Sequence, residues 1–247
     1  MSRMRSWVWW LGLVGSAAVA VSAGGPAAAV ASDASCSGRA YSYAGLQEAG
    51  SSFGIQAAVT ALAVPAVSAG HVAAWVGVGG VGEGPHGTSE WLQVGLSAFP
   101  GGLMSLYYEV ALPGGVPVYT ELESQVAAGR PHTLAVLELR ARPNWWRVWA
   151  DGRPRSAPVH LAASHGRWAP LAASESWNAG SAVCNDYRFR FAALGMANRP
   201  GGSWRTLRDH FVFNDSGYRL IAAARASFIT ARSPAAPAVR RLVRVGG

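Results

Sequence analysis

Short apolar or alternating runs, separated by Gly, Pro, Asn or Asp, recur through the chain after residue 31, and helical periodicity is weak throughout. Successive side chains of a strand point to opposite faces, so such runs can bury one face and leave the other free. The spacing predicts strands at His71–Val78, Ser89–Leu96, Leu103–Leu112, His132–Arg140, Trp145–Ala150, Ser156–Leu161, Tyr187–Leu194 and Tyr218–Thr230. The clearest local signal runs from Trp145 to Gly152. There Asp151-Gly152 is a two-residue turn that tolerates positive φ. Alternation sends Trp145, Arg147 and Trp149 to one face and Trp146 and Val148 to the other. About eight short strands at regular spacing predict an all-β fold, a jelly-roll sandwich of two antiparallel sheets. The Ala/Val-rich stretch 54–70, with Pro65 inside it, reads equally as a strand pair or a short helix. No internal repeat and no second domain is visible.

Of the 247 residues, 50% are hydrophobic and only 14% charged, which supplies a sizeable core and excludes disorder over most of the chain. Only the start holds a long apolar run without charge, which excludes a polytopic membrane protein. Arg3 and Arg5 precede an apolar stretch from Trp7 to Ala23, and Pro26 and small residues lead to Ala29-Val30-Ala31. This is the layout of a secretory signal peptide, cut after Ala31 or after Ala23, with no membrane span left behind. The expected organisation is a signal peptide at 1–31, a sandwich at 32–231 and a flexible Arg/Pro/Ala tail at 232–247. A secreted, extracellular protein meets oxidising conditions, so Cys36 and Cys184, the only cysteines, are expected to form a disulfide. Closing so long a loop contributes about 4–5 kcal/mol in the entropy model. All 21 cationic side chains are Arg, against 13 acids; loss of Arg3 and Arg5 takes the net charge from +8 to +6.

Chemistry-bearing motifs are sparse. Gly50-Ser51-Ser52-Phe53-Gly54 matches G-x-S-x-G but lacks the strand–elbow–helix context that motif needs. The six histidines have no metal-ligand spacing, and no calcium loop is present, so neither metal nor cofactor is expected. The Arg excess comes without a basic-and-stacking motif, so no nucleic-acid partner is expected. Polar residues inside apolar strands are more telling. Alternation places Gln93 beside Trp91, Glu109 beside Tyr107, and Glu175 on the side of Trp177. Acids and amides beside aromatic rings on one sheet face suggest a groove.

These segments occur in a telling order: Ala74-Trp75-Val76-Gly77-Val78-Gly79-Gly80, Trp91-Leu92-Gln93-Val94-Gly95, Leu106-Tyr107-Tyr108-Glu109-Val110, a turn with Gly129, and Ser174-Glu175-Ser176-Trp177. The series resembles the glutamic peptidases, or eqolisins, with their W-V-G-I, L-Q-x-G, W-Y-E-W and A-E-W blocks. It covers roughly residues 70–195. The resemblance implies a concanavalin A-like jelly roll and an acid-acting secreted endopeptidase. It puts the catalytic pair on Gln93 and Glu175, with Trp75, Trp91, Tyr107, Glu109 and Trp177 binding substrate. In that reading Glu175 is general base and acid, taking a proton from the attacking water and returning it to the leaving amine, and Gln93 holds the water and donates to the oxyanion. Three positions depart from the family pattern: Gly79 for an Asp, Arg130 after Gly129 for an Asp, and Ser176 between Glu175 and Trp177. The stretch from Gly129 to Gly152 also resembles a pattern of laminin-G and lectin-like sandwiches, which bears on the fold alone.

Two classes of function therefore stand. A peptidase acts on a polypeptide and needs Gln93 and Glu175 to converge in one groove, with amide and carboxylate within reach of one water. A non-catalytic module binds a cell-envelope glycan and needs a row of exposed indoles among the eight tryptophans that follow the leader. A glycosidase ranks third, because no strand carries the E-x-D-x-x-E pattern.

Overall fold

The computed structural model of the protein describes residues 41–224 and 226–244. The expected signal peptide (1–31) and Cys36 lie outside the described residues. Among the described residues the first strands are β1 Ser42–Glu48, β2 Gly54–Ala61, β3 His71–Gly80, β4 Glu90–Ala98, β5 Met104–Ala111 and β6 Val118–Glu123. Next come β7 His132–Glu138, β8 Trp145–Ala150, β9 Arg153–Pro154, β10 Val159–His160, β11 Leu171–Trp177 and β12 Arg188–Ala197. The last are β13 Trp204–Arg205, β14 His210–Asn214, β15 Tyr218–Ala224, β16 Ser227–Arg232 and β17 Val239–Val243. One short 3₁₀ turn, Pro85–Gly87, is the sole helical piece described.

The strands form two antiparallel sheets. The eight-stranded sheet has the order β17-β14-β1-β11-β3-β4-β5-β6. The nine-stranded sheet has the order β10-β8-β7-β2-β12-β16-β15, with β13 on β12 and β9 on β8. The core lies between them. Val72, Ala74, Val76 and Val78 of β3 and Leu92, Val94 and Leu96 of β4 meet Ile55, Leu134, Val136, Trp146, Phe189 and Phe191 of the other sheet. Because alternation spends every second residue on this core, the residues between must line the outer faces.

The hairpin at Asp151-Gly152 joins β8 to β9, with both φ angles positive (52° and 74°), as a two-residue turn requires. Trp146, Val148 and Ala150 are buried, while Trp145, Arg147 and Trp149 are half-buried on the other side. Elsewhere the structure corrects the sequence reading. Residues 54–61 are a strand, not a helix. The predicted strand Tyr218–Thr230 is a hairpin of β15 and β16, and Ser156–Leu161 shrinks to the two-residue β10. The segment 232–247 is not simply a flexible tail, because β17 pairs with β14 at the edge of the eight-stranded sheet. Arg240 and Arg241 hid it: charges on an edge strand break apolar alternation and discourage pairing with other chains. Arg240 stacks over Phe211 at 5.2 Å.

Trp146 anchors the hairpin side of the core. It is fully buried, and its Nε1 donates to Ser164 Oγ at 2.7 Å. Trp146→Ala would leave a cavity and an unpaired hydroxyl acceptor. Denaturant unfolding should show a loss of about 3–5 kcal/mol.

Candidate active site

The outer face of the eight-stranded sheet collects the residues that alternate with the core set. These are His71, Ala73 and Trp75 of β3, Trp91, Gln93, Gly95 and Ser97 of β4, Ser105, Tyr107 and Glu109 of β5, and Ala173, Glu175 and Trp177 of β11. Strand register puts them in rows. Gly45, Ala173, Trp75, Gly95 and Tyr107 lie side by side, as do Tyr43, Glu175, Ala73, Ser97 and Ser105. Small residues thus make a floor between aromatic walls. A Cβ on Gly95 would press on the Ala74 carbonyl and lie 2.6 Å from Trp75 Cβ, so only glycine lets the Trp75 indole pack there. Gly79 has the same kind of reason. Its φ is +79°, and a side chain would run into the Glu90 carbonyl, so an Asp does not fit at this position.

All seven groove residues named from the sequence share this face. Glu175 is only 8% exposed. Its Oε2 accepts from Trp75 Nε1 at 3.1 Å and its Oε1 from His71 Nε2 at 3.2 Å. Gln93 Nε2 donates to Tyr107 Oη at 3.1 Å, and its second N–H has no partner among the described residues. Trp91 Nε1 donates to Glu109 Oε1 at 3.0 Å, and Gln93 faces Glu109 across the β4–β5 ladder. Gln93 and Glu175 do not touch. They are two strands and four residues apart in register, at diagonal positions of the trough with Trp75 between them. Trp177 stacks on Tyr41 with ring centroids 6.1 Å apart. Cys184 is buried in the core between the sheets; its expected pairing with Cys36 involves a residue outside those described.

Sequence reading passed over His71, Tyr43, Phe99 and Tyr119. His71 is enclosed by the rings of Tyr41, Phe99 and Trp177, all with centroids within 6 Å. Tyr119 stacks on Tyr107 at 4.9 Å and shares a 2.9 Å hydrogen bond with Ser97. The only local clue to His71 was its place two and four residues before Ala73 and Trp75, on the same face. Its meeting with Glu175 depends on the pairing of β3 with β11, whose strands lie a hundred residues apart. The other two histidine–carboxylate pairs are structural. His132 with Asp151 (2.9 Å) and His165 with Glu138 (3.0 Å) tie the ends of the β7–β8 hairpin, where the same carboxylates also accept backbone N–H groups.

The row of exposed indoles does not exist. Of the eight tryptophans after the leader, only Trp204 is exposed, at 38%; the rest are buried or half-buried.

Burial and charge act together in the trough. Burial, and then the charge of Glu175, push the Glu109 carboxyl up to about 7, against smaller lowering effects of Trp91 and His71. Burial and the same two carboxylates raise the Tyr107 hydroxyl well above its ordinary value, so it stays a neutral O–H. Tyr41 is pushed up to about 12 for the same reasons. Glu109 therefore binds its proton more tightly in the fold than in the unfolded chain. Its contribution to stability falls as pH rises from about 4.5 to about 7. Glu109→Gln removes that slope, so its stability relative to the parent should improve by about 2–3 kcal/mol across this window in denaturant titrations.

Neither a family model nor a curated protein matches the sequence. Solved structures do. Scytalido-glutamic peptidase bound to a peptide-based transition-state analogue aligns over 78% of this chain and 98% of its own, at 15% identity and a TM-score of 0.53. A second complex of that peptidase with a transition-state analogue aligns over the same shares at a TM-score of 0.51. SCP-B, a member of the eqolisin family, aligns with 15% identity, the same coverage and a TM-score of 0.49. The strand layout and the two alignments to scytalido-glutamic peptidase agree: the chain has a glutamic-peptidase-like β-sandwich fold.

Proposed function

We propose that the protein is an exported endopeptidase of the glutamic type that cleaves polypeptides in acid, with Gln93 and Glu175 as its catalytic pair. The observation that carries this reading is the setting of Glu175, a carboxylate almost closed off from solvent on the trough face and held by Trp75 and His71. A general base must be fixed in orientation before it meets its water, and two donors on one neighbouring strand do that. The substrate lies in the trough between Glu175 and Gln93. Glu175 takes a proton from water as the water oxygen attacks the peptide carbonyl. The free N–H of Gln93 donates to the oxygen on which negative charge develops. Tyr107 keeps the Gln93 amide oriented through their 3.1 Å hydrogen bond. The rings of Tyr41, Tyr107, Tyr119 and Trp177 offer apolar walls to substrate side chains.

The export half of the reading rests on the leader at 1–31 and on an expected Cys36–Cys184 disulfide. Thiol titration of the unfolded, unreduced mature protein should find no free thiol. The catalytic half is tested by cleavage of an unfolded protein from about pH 2 to about pH 8, with Glu175→Gln and Gln93→Ala beside the parent. Each variant should fold, by thermal melting, and lose about 10²-fold or more in kcat/KM. A parent with no cleavage at any pH, or a Glu175→Gln variant as active as the parent, contradicts the assignment.

A further inference from the structure

We propose that Glu109 is a second catalytic carboxyl, the one that protonates the departing amine. This inference rests on the peptidase reading and deepens it. The β4–β5 register makes Glu109, not Glu175, the carboxyl directly across from Gln93. Side chains so paired lie about 5 Å apart at Cβ, whereas Glu175 lies two strands (about 10 Å) across the sheet and four residues (about 13 Å) along it from Gln93. The two carboxyls are also differently equipped. Both oxygens of Glu175 hold donors, from His71 and Trp75. Glu109 is held by one oxygen only, Oε1 on Trp91, so Oε2 carries no protein hydrogen bond among the described residues. A carboxyl with one free oxygen and few donors favours the protonated form that an acid needs.

The surroundings of Glu109 point the same way. Trp91 and Gln93 face it from β4 and Tyr119 from β6, with Tyr107 on its own strand. Glu175 raises its proton affinity across the trough, His71 lowers it, and burial outweighs both. Its protonated form persists to about pH 7.

The steps balance. Water oxygen bonds to the carbonyl carbon, its proton passes to Glu175, and the π electrons of the carbonyl move to its oxygen. The C–N bond then breaks, the carbonyl re-forms, and the amine nitrogen takes the proton of Glu109. Glu175 ends with one proton more and Glu109 with one fewer, and solvent exchange restores both. The net reaction is water plus peptide to acid plus amine.

The test compares the parent, Glu109→Gln and Glu175→Gln on a peptide amide and on a nitrophenyl ester of the same acyl group. Nitrophenolate leaves without a proton, so only amide cleavage needs the acid. Glu109→Gln should lose about 100-fold or more in kcat on the amide but less than about 5-fold on the ester. Its amide activity should also lose the alkaline fall that the parent shows near pH 7. Glu175→Gln should lose both substrates. Equal losses of Glu109→Gln on amide and ester, or an unchanged pH profile, overturn the role of Glu109 and leave the Gln93–Glu175 reading standing. A parent inactive on both substrates overturns both. A measurement without variants guards against misfolding: the Trp91 indole N–H resonance of the parent should shift with pH between about 6 and 8. A flat Trp91 resonance over that range overturns the inference.

Discussion

A carboxylate placed on a sheet face, out of water, must find its donors on the strands beside it. Glu175 finds both on β3, from His71 and Trp75. The arrangement holds only while β3 and β11 keep their register, Ala73 opposite Glu175 and Trp75 opposite Ala173. That register is set on the far side of the same strands, where Val72, Val76 and Ala172 are packed into the core. A slip of one residue would send Trp75 and Glu175 inward and valines outward. The hydrophobic core thus fixes the site without contributing any residue to it.

The same logic extends along the sheet. Gly95 leaves room for Trp75, and Gly79 turns the end of β3 where no side chain fits. Next to this small-residue floor, Trp91 donates its N–H to Glu109, and the Tyr107 hydroxyl oxygen accepts from the Gln93 amide. Each polar group in the trough answers another across a strand pair, so the trough is pre-built rather than assembled by a ligand. The two carboxyls it holds sit at different strands with different numbers of donors. In an acid-acting hydrolase that difference separates the group that accepts a proton from the group that gives one.

Much of this was legible in the sequence because alternation is a local property. The strands at β3, β4, β5, β7 and β8 and the Asp151-Gly152 turn follow from residues next to one another. So does the placing of Trp75, Gln93, Glu109 and Glu175 on outward faces. What was not legible is what long-range pairing creates. His71 gains its meaning only from β11, and β17 only from β14, where Arg240 stacks over Phe211. β1, β6, β14 and β11, the strand that carries Glu175, also went unread. β6 is largely exposed and polar, with Glu121 and Glu123 inside it, and lacks the apolar alternation that marks a core strand. The groove residues follow from order and resemblance, but the partnership of Gln93 with Glu109 required the register.

The central claim is that the trough on the eight-stranded sheet receives a polypeptide with its scissile bond between Gln93 and Glu175. A crystal structure of the protein with a peptide-based transition-state analogue tests it most directly. The analogue should lie across β3, β4 and β11, its tetrahedral hydroxyl within hydrogen-bond reach of the Glu175 carboxylate and the Gln93 amide. An analogue bound on the outer face of the nine-stranded sheet, or one that leaves Glu175 and Gln93 untouched, would contradict it.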